Sequence, residues 1–409
     1  MSEKVLIVGA GIAGLRTALK LKEKYPTNEI TLLEKYTKSG GRMDTIKLKD
    51  GTHYESGAGR LHTTHKKLLG LIKHYKLTLH KPADGIYWKT PNSPLEPNYF
   101  YELWIELCAQ FRKLPETTLQ TKTLRYLCIE LLGVDLAKRI LETYPYRAEI
   151  EVMSASSALD LYQSFLGGHF CMLEEGYSAL TELITKDLVK AGIKIIYNVD
   201  INRVDLKNDV YTVSGTKDKI PVSYKASRVI LAVHKNALEK IHPFSPTTPL
   251  IKKVRMEPLL RVYSQYNDSS WFPDKPVITD TPLRFIIPIN KEKGIIMSSY
   301  LDSRDIEPWD PLFKTGNEIR MAEKIRNETQ DLFPEQTIGT TNFTKSYYWK
   351  DGCSYWLPGP YDYKMASKEA LNPMPTTHPR LHIVGESFSK KQQWIEGALE
   401  HADELVDLL

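Results

Sequence analysis

Residues 5–15 read VLIVGAGIAGL: an apolar run, glycines at 9, 11 and 14, and a helical pattern that continues from Ile12 to Lys24. A strand, a glycine turn and a helix in that order build a cradle for the diphosphate of an adenine dinucleotide. Gly9 permits the tight strand-to-helix turn and Gly11 lets backbone approach the pyrophosphate. Gly14 lets the helix pack on the strand, and the helix N-terminus faces the phosphate charge. The next apolar run, ITLLE, ends at Glu34, an acid placed to bind ribose hydroxyls. These residues leave open which dinucleotide is bound.

Working outward, three separated stretches carry the same kind of pattern. They are residues 1–80, 169–245 and 375–409, with a helical pattern from Tyr177 to Ala191, the buried-looking strand RVILAV and the strand RLHIVGE before a terminal helix. Strands alternating with helices predict a doubly wound α/β, Rossmann-like domain assembled from the three pieces. The intervening stretches, 81–168 and 246–374, differ in character. Residues 100–140 carry Leu103, Trp104, Leu107 and Phe111 at helical spacing, whereas LLRVYSQY and LRFIIPI alternate like antiparallel strands. They predict a second, α+β substrate domain over the first. Proline-dense loops at 82–97 and 373–379 are the expected crossings.

At 409 residues and 42% hydrophobic, the chain has material for a large core. A net charge of only +5 is too mild to imply a nucleic-acid partner. The basic stretch from His62 to Lys81 reads as a solvated helix face. Four scattered cysteines indicate neither a zinc site nor a disulfide framework, and the HxxH pair His62 and His65 lacks further ligands at metal spacing. No apolar run reaches the ~20 residues a membrane span needs, and a strand starting near Lys4 leaves no room for a signal peptide. A soluble, cytoplasmic protein is expected, with no metal and no membrane partner.

Two further elements narrow the cofactor. After Glu34 comes SGGRM, where Gly40 and Gly41 free the backbone and Arg42 adds a fixed cation beside the phosphates. Near the end, VGES...WIEGALE puts Gly385 and Glu386 at a strand end and starts a helix near Ile395. A helix N-terminus there would stabilise the negative charge that grows on a flavin as it is reduced. Glu396, in that first turn, also reads as simple capping.

With VLIVGAGIAGL, LLEKYTKSGGRM and HIVGES...WIEGALE in this order, the chain resembles the flavin-containing amine oxidase family, which includes monoamine, polyamine and L-amino-acid oxidases. The resemblance implies that Gly9, Gly11, Gly14, Glu34, Gly41 and Arg42 bind the diphosphate and ribose of FAD, and that the backbone of Ile201 pairs with adenine. It places Gly385 and Glu386 at the ribityl chain, with Trp394 and Ile395 against the flavin. In ESGAGRLH, Gly57, Ala58, Gly59 and Arg60 stand where amino-acid oxidases of the family carry the arginine for the substrate carboxylate; support of the flavin is the other reading of Arg60. Trp394, with Tyr355 or Trp356, would form the aromatic walls beside the substrate nitrogen. The chain also departs from the family. Tyr36 stands where an arginine is common, His234 where proline is common, and Arg261, ten residues before Trp271, where a lysine usually serves flavin N5. Arg261 therefore reads either as catalytic or as one side of a structural salt bridge. Cys353 follows a glycine, as in members with covalent flavin, but the flanking spacing is shorter, which favours a packed cysteine and non-covalent FAD.

The function implied is an FAD-dependent oxidation of the C–N bond of an amine or L-amino acid to an imine, with O2 reduced to H2O2. The competing expectations are a desaturase or porphyrinogen oxidase on the same fold, and a flavin-stabilised scaffold without turnover.

Overall fold

The computed structural model describes residues 2–83, 85–92 and 97–409, with backbone alone at 97–101. Part of the 82–97 crossing loop, Asp84 and residues 93–96, therefore lies outside the described residues. The apolar runs form one parallel sheet of β1 (Lys4–Val8), β2 (Glu29–Leu33), β3 (Lys194–Ile196), β4 (Arg228–Leu231) and β5 (Leu381–Ile383), in the order β5-β4-β1-β2-β3. Strands buried on both faces read as continuous apolar runs, which is why VLIV and RVIL are unbroken. The chain steps from β1 to one side, then returns to its other side with β4. This order opens a crevice at the carboxyl end of β1, where Gly9 stands.

The helices that matter for the site are α1 (Ile12–Lys24), α2 (Lys66–His74), α3 (Arg147–Glu151), α4 (Tyr177–Lys190) and α5 (Ile395–Leu408). Leu15, Ala18 and Leu21 of α1, Leu180 and Ile184 of α4, and Leu399 and Leu405 of α5 cover one face of the parallel sheet. Arg16 on α1 pairs with Asp403 on α5 at 2.6 Å. The other face corrects the expectation of a doubly wound domain. Leu6, Val8, Val229 and Leu231 pack there on Val199, Ile201, Val204, Tyr211 and Val213 of a three-stranded antiparallel sheet, Val199–Lys207, Val210–Lys217 and Ile220–Ala226. These strands alternate inward apolar and outward polar residues, and one apolar face of a meander covers the sheet as a helix layer would.

A six-stranded sheet runs in the order Thr341–Trp356, Val254–Tyr266, Ile295–Asp302, Phe285–Asn290, Val277–Ile278 and Tyr87–Trp88, antiparallel except for its last pair. Trp104, Leu107, Phe111, Leu124 and Ile140 of the helical stretch form a separate core, which Tyr355 joins from the end of the longest strand. That strand thus touches the helical layer while Ser354 reaches Glu386 beyond β5.

The basic stretch divides. Lys66, Lys67, Lys73 and His74 are exposed on α2, but His62 and His65 are buried and excluded from the solvated face. Their apolar neighbours Phe165 and Phe170 enclose them. Glu396 caps a helix other than its own: its carboxylate accepts the amides of Lys67 and Leu68, at 2.8 and 2.9 Å, at the start of α2. Two hydrogen bonds from otherwise unsatisfied donors to one carboxylate, the second of them buried, fix α2 to α5. Glu396→Ala is expected to cost about 1–2 kcal/mol, read as a lower denaturation midpoint. Glu396→Gln, which keeps one acceptor, should recover part of it.

Candidate active site

The glycine turn divides its work. A Cβ on Gly14 would overlap the carbonyl of Gly9, and one on Gly9 would collide with the carbonyl of Ala232; at Gly11 nothing lies within 4 Å. The first two positions are filled by protein, whereas Gly11 faces open space. Gly11 is also the N-cap of α1, where no side chain caps the helix and no acid stands in the first turn, so its free amides point outward. Gly40 lies alongside, its amide donating to the carbonyl of Ala10 at 2.9 Å, and Gly40 and Gly41 both have positive φ. The Glu34 carboxylate accepts the amides of Ala10 at 2.7 Å and Tyr36 at 2.9 Å, and burial raises its carboxyl above the ordinary range. Glu34 therefore shapes the loop it faces. The amide of Val199 donates to the carbonyl of Glu34, which brings Ile201, at a bulge two residues on, toward the same rim.

Around the end of β5, Arg42 and Glu386 form an ion pair at 2.8 Å, and Arg42 also donates to the carbonyl of Gly352. Glu386 accepts the amides of Ser354 and Gln393, at 3.1 and 2.7 Å. Gly385 has φ +131° and Gln393 φ +73°, a left-handed conformation that a glutamine adopts at a cost of order 1–3 kcal/mol. That strained residue places Trp394, the N-cap of α5, and Ile395 behind it. Cys353 lies close by, its thiol pushed up to about 12 by burial and by the Glu386 carboxylate, which makes it a poor nucleophile.

The loop Gly57-Ala58-Gly59-Arg60 rests on the Arg42 backbone, with the Ala58 amide on the Arg42 carbonyl at 2.9 Å. From below, Arg261, only 8% exposed, donates to the carbonyls of Gly57 and Glu55 and lies 5.0 Å from the Tyr300 ring centroid. No carboxylate pairs with it among the described residues, which removes the salt-bridge reading. Arg261 instead clamps the loop that carries Arg60. Arg60 is half-buried between the rings of Phe170 and Phe285, each 5.3 Å from its guanidinium carbon, and donates to the Tyr146 hydroxyl at 2.9 Å. It too has no carboxylate partner among the described residues.

Phe170 links Arg60 to Trp394, on which it stacks at 5.8 Å with an interplanar angle of 21°. His65 and Phe165 meet Trp394 edge-on at 5.1 Å each, and its indole Nε1 is buried with no partner. Burial pushes His65 down to about 3, so this wall is uncharged. Tyr355 is buried in the helical core against which Trp394 packs, while Trp356 is fully buried elsewhere and donates to the carbonyl of Ser389. Trp356 is thus not a wall of this site. Tyr146, Phe170, Phe285 and Tyr300 escaped the sequence reading, since each reaches Arg60 or Arg261 only through tertiary packing.

Residues 12–407 match the family described as flavin containing amine oxidoreductase. The chain belongs to this family. It is similar to the putative L-amino-acid oxidase YobN of Bacillus subtilis (strain 168), 22% identical over 97% of this chain and 92% of that protein. It is likewise similar to an L-amino-acid oxidase of Siganus canaliculatus, 22% identical over 98% and 84% of the two chains. A flavin-containing amine oxidase of Danio rerio is 21% identical over 65% of this chain and 58% of its own.

For a flavin-containing amine oxidoreductase the residues fit the cofactor. The open face at Gly11, the uncapped start of α1 and the paired glycine loops suit an anionic diphosphate. A second N-terminus without a side-chain cap, that of α5, follows Gln393, whose amide donates to Glu386 at 2.7 Å. Among the described residues no group of three or more His, Cys, Asp or Glu is placed to hold a metal ion, and no helix is long and apolar enough to cross a membrane.

Proposed function

We propose that this flavin-containing amine oxidoreductase binds FAD non-covalently and oxidises the Cα–N bond of an L-amino acid. Residues 1–80, 169–245 and 375–409 would hold the cofactor, and 81–168 and 246–374 the substrate. Gly9, Gly11, Gly14, Gly41 and Arg42 would hold the diphosphate, Glu34 and Ile201 the adenosine, and Gly385, Glu386, Trp394 and Ile395 the ribityl chain and ring. When bound, the flavin would supply the acceptor for the α-hydrogen and its electron pair, with O2 reduced to H2O2 and the substrate left as an imine that hydrolyses to a keto acid and ammonia.

The observation that carries this reading is Arg60: a guanidinium held between two aromatic rings with no ion-pair partner among the described residues. Charged side chains are rarely enclosed without a partner, and a planar fork matches a carboxylate in two hydrogen bonds. Tyr146 fixes one edge of that fork. Arg261, through Glu55 and Gly57, fixes the loop on which it stands. The stacked rings of Phe170 and Trp394 would keep water from a bound amine, which favours the neutral form needed for loss of the α-hydrogen. The names of the relatives in Bacillus and Siganus support the same substrate class. In an aerobic peroxide assay the purified yellow protein should turn over L-amino acids and not the amines formed by removing their carboxylates. Turnover of the amines alone would refute the proposal.

A further inference from the structure

α3 carries one acid that the reading above leaves unused. Glu149 is 7% exposed, and its Oε2 accepts the Tyr144 hydroxyl at 3.0 Å. No Lys, Arg or His lies within ion-pair reach among the described residues, and the undescribed ones, Met1, Asp84 and residues 93–101, include none. Of the other acids in this corner, Asp302 also lacks a cation but is held by the backbone amides of Arg147 and Ala148, Glu151 pairs with Arg125 and Arg304, and Asp305 pairs with Arg147 and Arg284. A buried carboxylate without a cation is costly, and burial raises the Glu149 carboxyl to about 7.

Its surroundings indicate what would complete it. Glu149 stands one helical turn after Tyr146, the residue whose hydroxyl takes Arg60, so acid and guanidinium flank one tyrosine. Arg60 is near enough for its field to reach the Glu149 carboxylate, yet too far for an ion pair. The walls on the Glu149 side are aromatic: Tyr144 meets Trp104 at 4.8 Å and Tyr162 at 6.1 Å, and the Tyr162 hydroxyl is turned toward the Glu149 carboxylate and the Tyr144 hydroxyl. Aromatic faces with a carboxylate at the end suit a cation.

We propose that Glu149 is a specificity residue that receives a cationic group at the far end of the substrate side chain, which makes a basic L-amino acid the preferred substrate. This rests on Arg60 as the carboxylate anchor. The substrate carboxylate then meets Arg60 and its side-chain ammonium or guanidinium meets Glu149, with the two charges of the site matched in order.

The test uses the flavin-loaded enzyme and the ratio of kcat/KM for L-lysine to that for L-norleucine, its neutral counterpart, with L-arginine as a second arm separating guanidinium from ammonium. The wild-type ratio for at least one basic substrate should exceed about ten, and Glu149→Leu should bring it below one, in keeping with the loss of a desolvated charge pair. Should Glu149→Leu fail to fold, Glu149→Gln and an equilibrium measurement replace it. The wild type should bind 6-aminohexanoate or a guanidino acid at least about tenfold more tightly than hexanoate, read from the flavin spectrum, and Glu149→Gln should abolish the difference. A wild-type ratio near one, or the same ratio in wild type and variant, overturns the role of Glu149 while leaving Arg60 as anchor. Failure to oxidise any L-amino acid overturns the reading on which both rest.

Discussion

Arg60→Ala is expected to lower kcat/KM for an L-amino acid by about 30- to 1,000-fold, about 2–4 kcal/mol. The loss should fall mainly on KM, because a carboxylate held equally in the ground and transition states contributes uniform binding. The size follows from the setting. Arg60 is half-buried between Phe170 and Phe285 and already oriented by Tyr146, so little side-chain entropy is lost when it binds. Its removal would leave the substrate carboxylate facing aromatic carbon. Arg60→Lys should recover only part, since an ammonium cannot make the two parallel hydrogen bonds. Steady-state kinetics on the three proteins decide the matter, and an unchanged KM in Arg60→Ala would remove the anchor.

A second large effect separates two glycines three residues apart. Gly14→Ala forces a methyl into the Gly9 carbonyl, where strand and helix backbones are already in contact, and is expected to cost about 3 kcal/mol or more. Gly11→Ala meets no protein atom within 4 Å, and its backbone, at φ −69°, suits any residue. That variant should fold with its stability changed by about 0.5 kcal/mol at most. Its methyl, however, stands where the diphosphate approaches, so flavin content and affinity should drop at least about tenfold. Thermal unfolding of the cofactor-free proteins and the ratio of flavin to protein absorbance read the two effects apart. A Gly11→Ala protein that retained full flavin would place the diphosphate elsewhere.

Much of the scaffold was legible because its signals are local. The glycine turn, the apolar runs of β1, β2, β4 and β5, and the helices α1, α4 and α5 each announce themselves within about fifteen residues. The antiparallel character of 259–300 was visible as alternation, but not its register, which sets Arg261 opposite Tyr300. Arg261 shows what this hides. From sequence it was a substituted lysine or a salt bridge; in the fold it is a clamp on two carbonyls, a contact 204 residues distant in the chain at Gly57. Glu396 looked like a cap for its own helix and instead serves α2, since the donors it meets come from a different part of the chain. Glu149 gave no signal at all. An acid in RAEIE reads as surface, and only the packing of Tyr144 and Tyr162 around it shows that it is enclosed without a cation.

The most direct measurement is anaerobic titration of the purified yellow protein with L-amino acids, and in parallel with the amines obtained by removing their carboxylates, following the flavin absorbance. Arg60 as carboxylate anchor predicts that an L-amino acid bleaches the flavin and that its decarboxylated amine does not at the same concentration. Bleaching by the amine and not by the amino acid, or no bleaching by either, would contradict it.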